Sequence, residues 1–155
     1  MSSEDGLRTM NELAHVLSVE HRLMERLLLK LLEGRCLLDL GEVGVLHDTA
    51  LGLERAVDRL QEAALRRSML VYELALALEV SESALSLGGL ARVAGEPFGR
   101  IFAEHRIALL DIAEEIQAAT RAVLQSQSAE IGDGALLGAT RRLSATGVVD
   151  ADFLR

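Results

Sequence analysis

The chain has one cysteine, one proline, no tryptophan and only 3% aromatic residues across 155 positions. A lone thiol, Cys36, closes no internal disulfide and lacks a second sulfur for a zinc site, which excludes a disulfide scaffold and fits a reducing compartment. A single proline leaves long helices uninterrupted. With half of the residues apolar and so few rings, the core has to be built from Leu, Ala, Val and Ile. No run of about 18 uncharged apolar residues exists to cross a bilayer, and MSSEDGLRTMNE carries acids where a signal peptide needs positive charge. The expectation is a soluble, cytoplasmic chain without stable membrane insertion. Basic side chains are in deficit too: 16 Lys and Arg against 24 Asp and Glu give a formal charge of -8. That is the wrong sign for a protein held by phosphate backbones, so no nucleic-acid partner is expected.

What the chain does have is helical periodicity. Met10, Leu13, Leu17, Glu20, Met24, Leu27 and Leu31 recur at steps of three and four, one stripe of a helix that starts among Ser3 to Thr9 and runs to about Asp39. LGEVGVL, residues 40–46, supplies a turn. The pattern resumes through Leu46, Ala50, Leu53, Val57, Leu60, Ala64, Arg67, Val71, Leu74 and Leu78, a second long helix antiparallel to the first. Ser86 caps a short helix over Leu87 to Val93, Gly95 ends it, and Pro97 sits at the first turn of the next. Ile101, His105, Leu109, Ile112, Ile116, Ala119 and Val123 mark a last long helix reaching about Ile131. The fold expected is all-α: an elongated antiparallel bundle of three long helices with one short helix. Residues 1–131 form its domain, and residues 132–155, rich in Gly, Ala, Ser and Thr, form a mobile C-terminal tail.

Both long seams contain a charge. For a hairpin turning near residue 43, position i faces roughly 86 minus i, so Glu20 lies opposite about residue 66. Arg67 is the nearest seam position, and a structural ion pair between Glu20 and Arg67 satisfies both groups and penalises any slip in register. The alternative is that both reach water along the stripe edge. LLLKLL, residues 27–32, is apolar nearly all round, and with Leu37, Leu38 and Leu40 it asks for more contact than one hairpin partner provides. It is either a wide core face under the short helix or a surface for an amphipathic helix from another chain.

Residues with chemistry do not assemble into a catalytic set, so no enzyme is expected. Glu12 and His15 form one Glu-x-x-His step, where a di-metal bundle needs two; no cofactor or metal is implied. His21 and His47 fall at surface positions, and His105 reads as a hydrogen-bonded core histidine. Glu114 and Glu115 point about 100° apart and cannot act together on one bond. Cys36 reads as a small apolar packer. No phosphate-loop spacing occurs, and the glycines at 88, 89, 95 and 99 follow no strand. Leu85 to Leu110 has the rhythm of a helix-turn-helix, but its second helix is dominated by Phe98, Ile101, Phe102, Ile107, Leu109 and Leu110 and continues into the acidic DIAEEIQ, unlike a helix that reads base edges.

Glu20 ahead of RLMERLLLKLLEGRCLL, the second helix with Arg67 and SMLVYELALAL, the segment SLGGLARVAGEP and the final long helix together resemble the FlgN-type flagellar export chaperones. The resemblance covers Met10 to Ile131. It departs from the family near TRAVL, where Thr120 and Arg121 stand in place of asparagines, and in a tail whose only aromatic is Phe153. It implies a cytoplasmic chaperone that binds the C-terminal helical segments of hook-filament junction proteins, keeps them from assembling early and delivers them to export-gate components. Apolar residues of the last helix and tail, Ile112, Ile116, Val123, Leu124, Ile131, Leu136 and Leu137, are the candidate partner-binding positions, although Ile112 and Ile116 equally suit the protein's own core. The competing expectation is a generic coiled-coil adaptor or structural subunit, possible as a homodimer along the exposed leucines.

Overall fold

A computed structural model describes residues 3–126, 134–146 and 150–155. The fold is all-α, and the described residues contain no strand. Helix α1 spans Ser3–Leu40, α2 Leu46–Leu78, α3 Leu87–Val93, α4 Phe98–Gln125, α5 Ala135–Thr146 and α6 Ala151–Leu154, with 3-10 turns at Val43–Val45 and Glu82–Ala84. Local chemistry sets these bounds. Gly41 ends α1 with φ of 71°, its N–H bonding Leu38 O at 3.1 Å while Glu42 N bonds Leu37 O at 2.9 Å, the paired closure of a Schellman cap. α2 closes in the same way through Glu79 N to Leu76 O and Val80 N to Ala75 O, but the left-handed position, φ 54°, is held by Glu79, which has a Cβ. The Ser86 side chain caps α3 by accepting from Gly89 N at 3.2 Å. α3 stops at Ala94, one residue before the glycine expected to end it, and Pro97 directly precedes α4.

The contacts divide the chain into two compact units, each built from three stretches. One comprises Met1–His21, Glu62–Asp111 and Val149–Arg155. Its core holds Leu13 and Leu17 from α1, Leu70, Val71 and Leu74 from α2, Leu87 and Leu90 from α3, Phe102 and Leu109 from α4, and Phe153 and Leu154 from α6, all buried. Leu78, the last residue of the expected α2 seam, is exposed at the helix end. The other unit comprises Arg22–Gln61 and Ile112–Val148. Within it α1 and α2 run antiparallel: Glu33 accepts from Thr49 Oγ1 at 3.1 Å, and the side chain of Lys30, three residues earlier, lies against Gly52, three residues later.

A division at residue 131 is not the one found, because both units include chain beyond it. Residues 135–146 were expected in a loose tail; they form α5, and Leu136, Leu137, Ala139, Thr140 and Leu143 are buried. Those positions fall at i, i+1, i+3, i+4 and i+7, one face of a helix, a pattern masked by the Gly, Ser and Thr between them. Gly34 of α1 leaves the space that Leu136 fills: a Cβ there would meet Leu136 Cδ2 at 2.9 Å. The leucine-rich end of α1 is therefore met by α5 as well as α2. Leu27, Leu31 and Leu38 are buried, while Leu29, Leu32 and Leu40 remain exposed. Cys36 is exposed and is no core packer.

Two stability measurements follow from this packing. Leu136→Ala should cost about 2 to 4 kcal/mol in urea unfolding, whereas a residue in a loose tail would cost nothing measurable. Glu79→Gly should raise stability by about 1 kcal/mol by relieving the left-handed position.

Candidate functional site

The chemistry of the first unit centres on the charges in the α1 and α2 seams. Arg67 Nη1 donates to Glu20 Oε1, and both side chains are buried. The guanidinium is shared further: Nη2 lies 3.7 Å from Asp150 Oδ2, and the Phe153 ring stacks against it with 4.5 Å from Cζ to the ring centroid, a cation–π contact. Asp150 also caps α6, its Oδ1 accepting from Phe153 N at 3.2 Å. Glu20 Oε2 has no hydrogen-bond partner among the described residues. Burial pushes the Glu20 carboxyl up to about 7; Arg67 opposes that rise and Asp150 adds to it. His105 on α4 moves the other way, lowered by burial and then by His21, with Glu104 opposing.

Beside this cluster an open cleft of about 800 Å³ is lined by Arg67, Ser68, Val71 and the 81–86 segment together with Asp150, Phe153 and Arg155. No group of three or more His, Cys, Asp or Glu among the described residues could hold a metal ion. No described helix is long and apolar enough to cross a membrane.

A second feature of the same unit lies on the outer face of α2. Leu65, Met69, Tyr72 and Leu76 are 66%, 50%, 54% and 61% exposed. Their spacing of four, three and four places them in one line along the helix, on the side away from Arg67, Val71 and Leu74. Arg66 and Glu73 flank the line, with Glu62 and Glu79 toward its ends. Arg66 is held by Glu12 of α1 at 2.6 Å. Four large apolar side chains in a row on one helix face are a contiguous patch rather than scattered exposure, and such patches mark contact surfaces. The sequence carries this signal as a second stripe in LRRSMLVYELALAL, beside the stronger core seam.

The expected partner-binding positions are placed elsewhere. Ile112, Ile116 and Val123 are buried in the second unit, as are Leu136 and Leu137, and Leu124 is half-buried. None of the buried five reaches a partner unless that unit opens, because each is already covered. Ile131 lies outside the described residues. Comparison with family models, curated proteins and solved structures found no match for this chain.

The pair's energetics are measurable. The folded-state value of Glu20 lies above the ordinary 4.5, so the stability tied to its proton is complete below that pH and is lost as pH rises through about 7. Glu20→Gln should flatten that window, and the difference between the two proteins' stability curves cancels the contribution of His105. Arg67→Met, which leaves Glu20 buried without its cation, should cost about 3 to 5 kcal/mol at pH 8. The loss should shrink at pH 5.5, where Glu20 is neutral. A pH-independent loss in denaturant titrations would show that the carboxyl is not the group responsible.

Proposed function

We propose that this chain binds an amphipathic helical segment of a partner protein along the Leu65–Met69–Tyr72–Leu76 stripe, acting as a cytoplasmic flagellar export chaperone of the type its sequence resembles. The exposed stripe is the observation that carries this reading. A helix laid antiparallel or parallel to α2 would cover all four side chains with its own i, i+3, i+4 and i+7 positions. Tyr and Met suit such a surface, the one rigid and amphipathic, the other adaptable. Glu62, Glu73 and Glu79 border the line and the chain is strongly acidic, so the complementary partner helix carries Lys or Arg beside its apolar face.

On the resemblance, that partner is the C-terminal helical segment of a hook-filament junction protein. Covering its apolar face keeps it from assembling before delivery to the export gate. The site differs from the one the sequence suggested, because the residues of α4 and α5 are occupied by their own packing.

A second reading has a specific support. The stripe is nearly palindromic: in two antiparallel copies Leu65 would face Leu76, Met69 would face Tyr72, and Arg66 of each would approach Glu73 of the other. This is the adaptor alternative, with the chain pairing with itself.

The double substitution Met69→Glu and Tyr72→Glu, at positions half-exposed already, should leave the circular dichroism spectrum unchanged. It should weaken calorimetric binding of a junction-protein C-terminal peptide at least about tenfold. Undiminished binding by the variant, or none by the unsubstituted chain, would overturn the reading. Concentration-dependent dimerisation lost in the same variant, with no peptide binding, would decide for the adaptor.

A further inference from the structure

The seat of α6 has features of a binding site more than of a core. A one-turn helix has little stability of its own; α6 is a single turn, with Leu154 N bonding Asp150 O at 3.1 Å. What holds them is side-chain recognition by the surrounding elements. Arg67 meets both the Asp150 carboxylate and the Phe153 ring. Arg106 Nε of α4 donates to the main-chain carbonyl of Arg155 at 2.9 Å. Phe153 and Leu154 are buried.

Gly88 shows that the seat is shaped for a backbone. It lies inside α3, where glycine disfavours the helix, yet any Cβ at this position would come within 2.4 Å of the Arg155 carbonyl oxygen. The close approach explains the residue. α6 nevertheless does not fill the space available to it. The open cleft is lined also by Ser68, Ser81, Ser83 and Ser86; Ser68 donates to Ala64 O, Ser81 and Ser83 bond each other and Ser86 caps α3, and each hydroxyl keeps further capacity for a longer ligand.

We propose that the seat of α6, with the open cleft beside it, is a recognition site for a helical turn of the pattern Asp-x-x-Phe-Leu, the seat being occupied in cis by residues 150–154, and that a partner segment of the same acidic–aromatic pattern exchanges with it. Each requirement is met by a named group. The acidic residue pairs with Arg67, the ring stacks on the same guanidinium, the leucine enters the apolar floor, and a following carbonyl reaches Arg106 over Gly88. A partner helix longer than one turn would occupy both the seat and the open cleft, which the resident turn leaves unused. The proposal stands apart from the α2 stripe, on other side chains of the unit, and variants of Met69 or Tyr72 should not affect it.

The probe is the fluorescently labelled peptide VDADFLR, residues Val149–Arg155. In the full chain, Phe153→Ala should unseat the resident turn and bind the peptide saturably, at least about tenfold more tightly than the unsubstituted chain, by polarisation. Adding Gly88→Ala should abolish that binding, and a peptide with alanine in place of its phenylalanine should not bind. A readout that needs no variant is the amide spectrum of the unsubstituted chain, where excess unlabelled peptide should displace the resident turn and move the Phe153 and Leu154 resonances toward their random-coil positions. Equal affinity for the two proteins, no saturable binding by Phe153→Ala, or binding that survives loss of the peptide's ring would overturn the proposal. So would Phe153 and Leu154 resonances that stay in place under excess peptide.

Discussion

Glu20 and Arg67 occupy positions that the spacing of their helices reserves for apolar side chains, and the first unit is arranged around the consequences. A carboxylate and a guanidinium taken out of water demand partners. Arg67 finds three: Glu20 from α1, Asp150 ahead of α6 and the face of Phe153. Among the described residues Glu20 finds one, leaving its second oxygen without a donor. The guanidinium is therefore the hub, and the planar group suits the task, since it pairs at its edge while stacking on its face. A lysine could serve one of these contacts but not all of them. Register between α1 and α2 follows, because a slip of one turn would strand both charges in a leucine core.

Much of this could be read from the chain itself. Three long apolar stripes gave three long helices, and their interruptions by Gly41 and the Ser81–Ser86 stretch are where turns occur. The two seam charges stood opposite each other on counting back from the turn, and the contact falls at Arg67. Where reading failed, the reasons are physical. α5 alternates buried leucines with small residues, so composition suggested a loose segment although Leu136, Leu137, Thr140 and Leu143 share a face. α6 has too few residues for any period to show; the Asp150 cap and the contacts of residues 150–155 with Arg67, Arg106 and α3 define it. Cys36 was read from residue type, which says little about the side of the helix it takes. The α2 stripe was hidden by its neighbour: two apolar lines on one helix, and only the line with more members drew notice.

The two faces of α2 divide the work of that helix. One line, with Leu70, Val71 and Leu74, is committed to the core; the other, from Leu65 to Leu76, is left to solvent. An exposed apolar line raises the tendency to associate without helping the unit fold, and a surface of that kind persists where contact with another molecule offsets its cost. Acidic side chains beside it oppose indiscriminate association and favour partners of opposite charge. Leu29, Leu32 and Leu40 repeat the situation on α1 in the second unit, with less regular spacing.

Cys36 lies on that same flank of α1, between Leu32 and Leu40, and it is the chain's single thiol. A disulfide formed there can consequently only join it to another molecule, since the sequence offers no second thiol with which to close a loop. The same fact makes the native protein ready for labelling, because one maleimide dye would report on solvent at the leucine-rich flank without the introduction of any further sulfur.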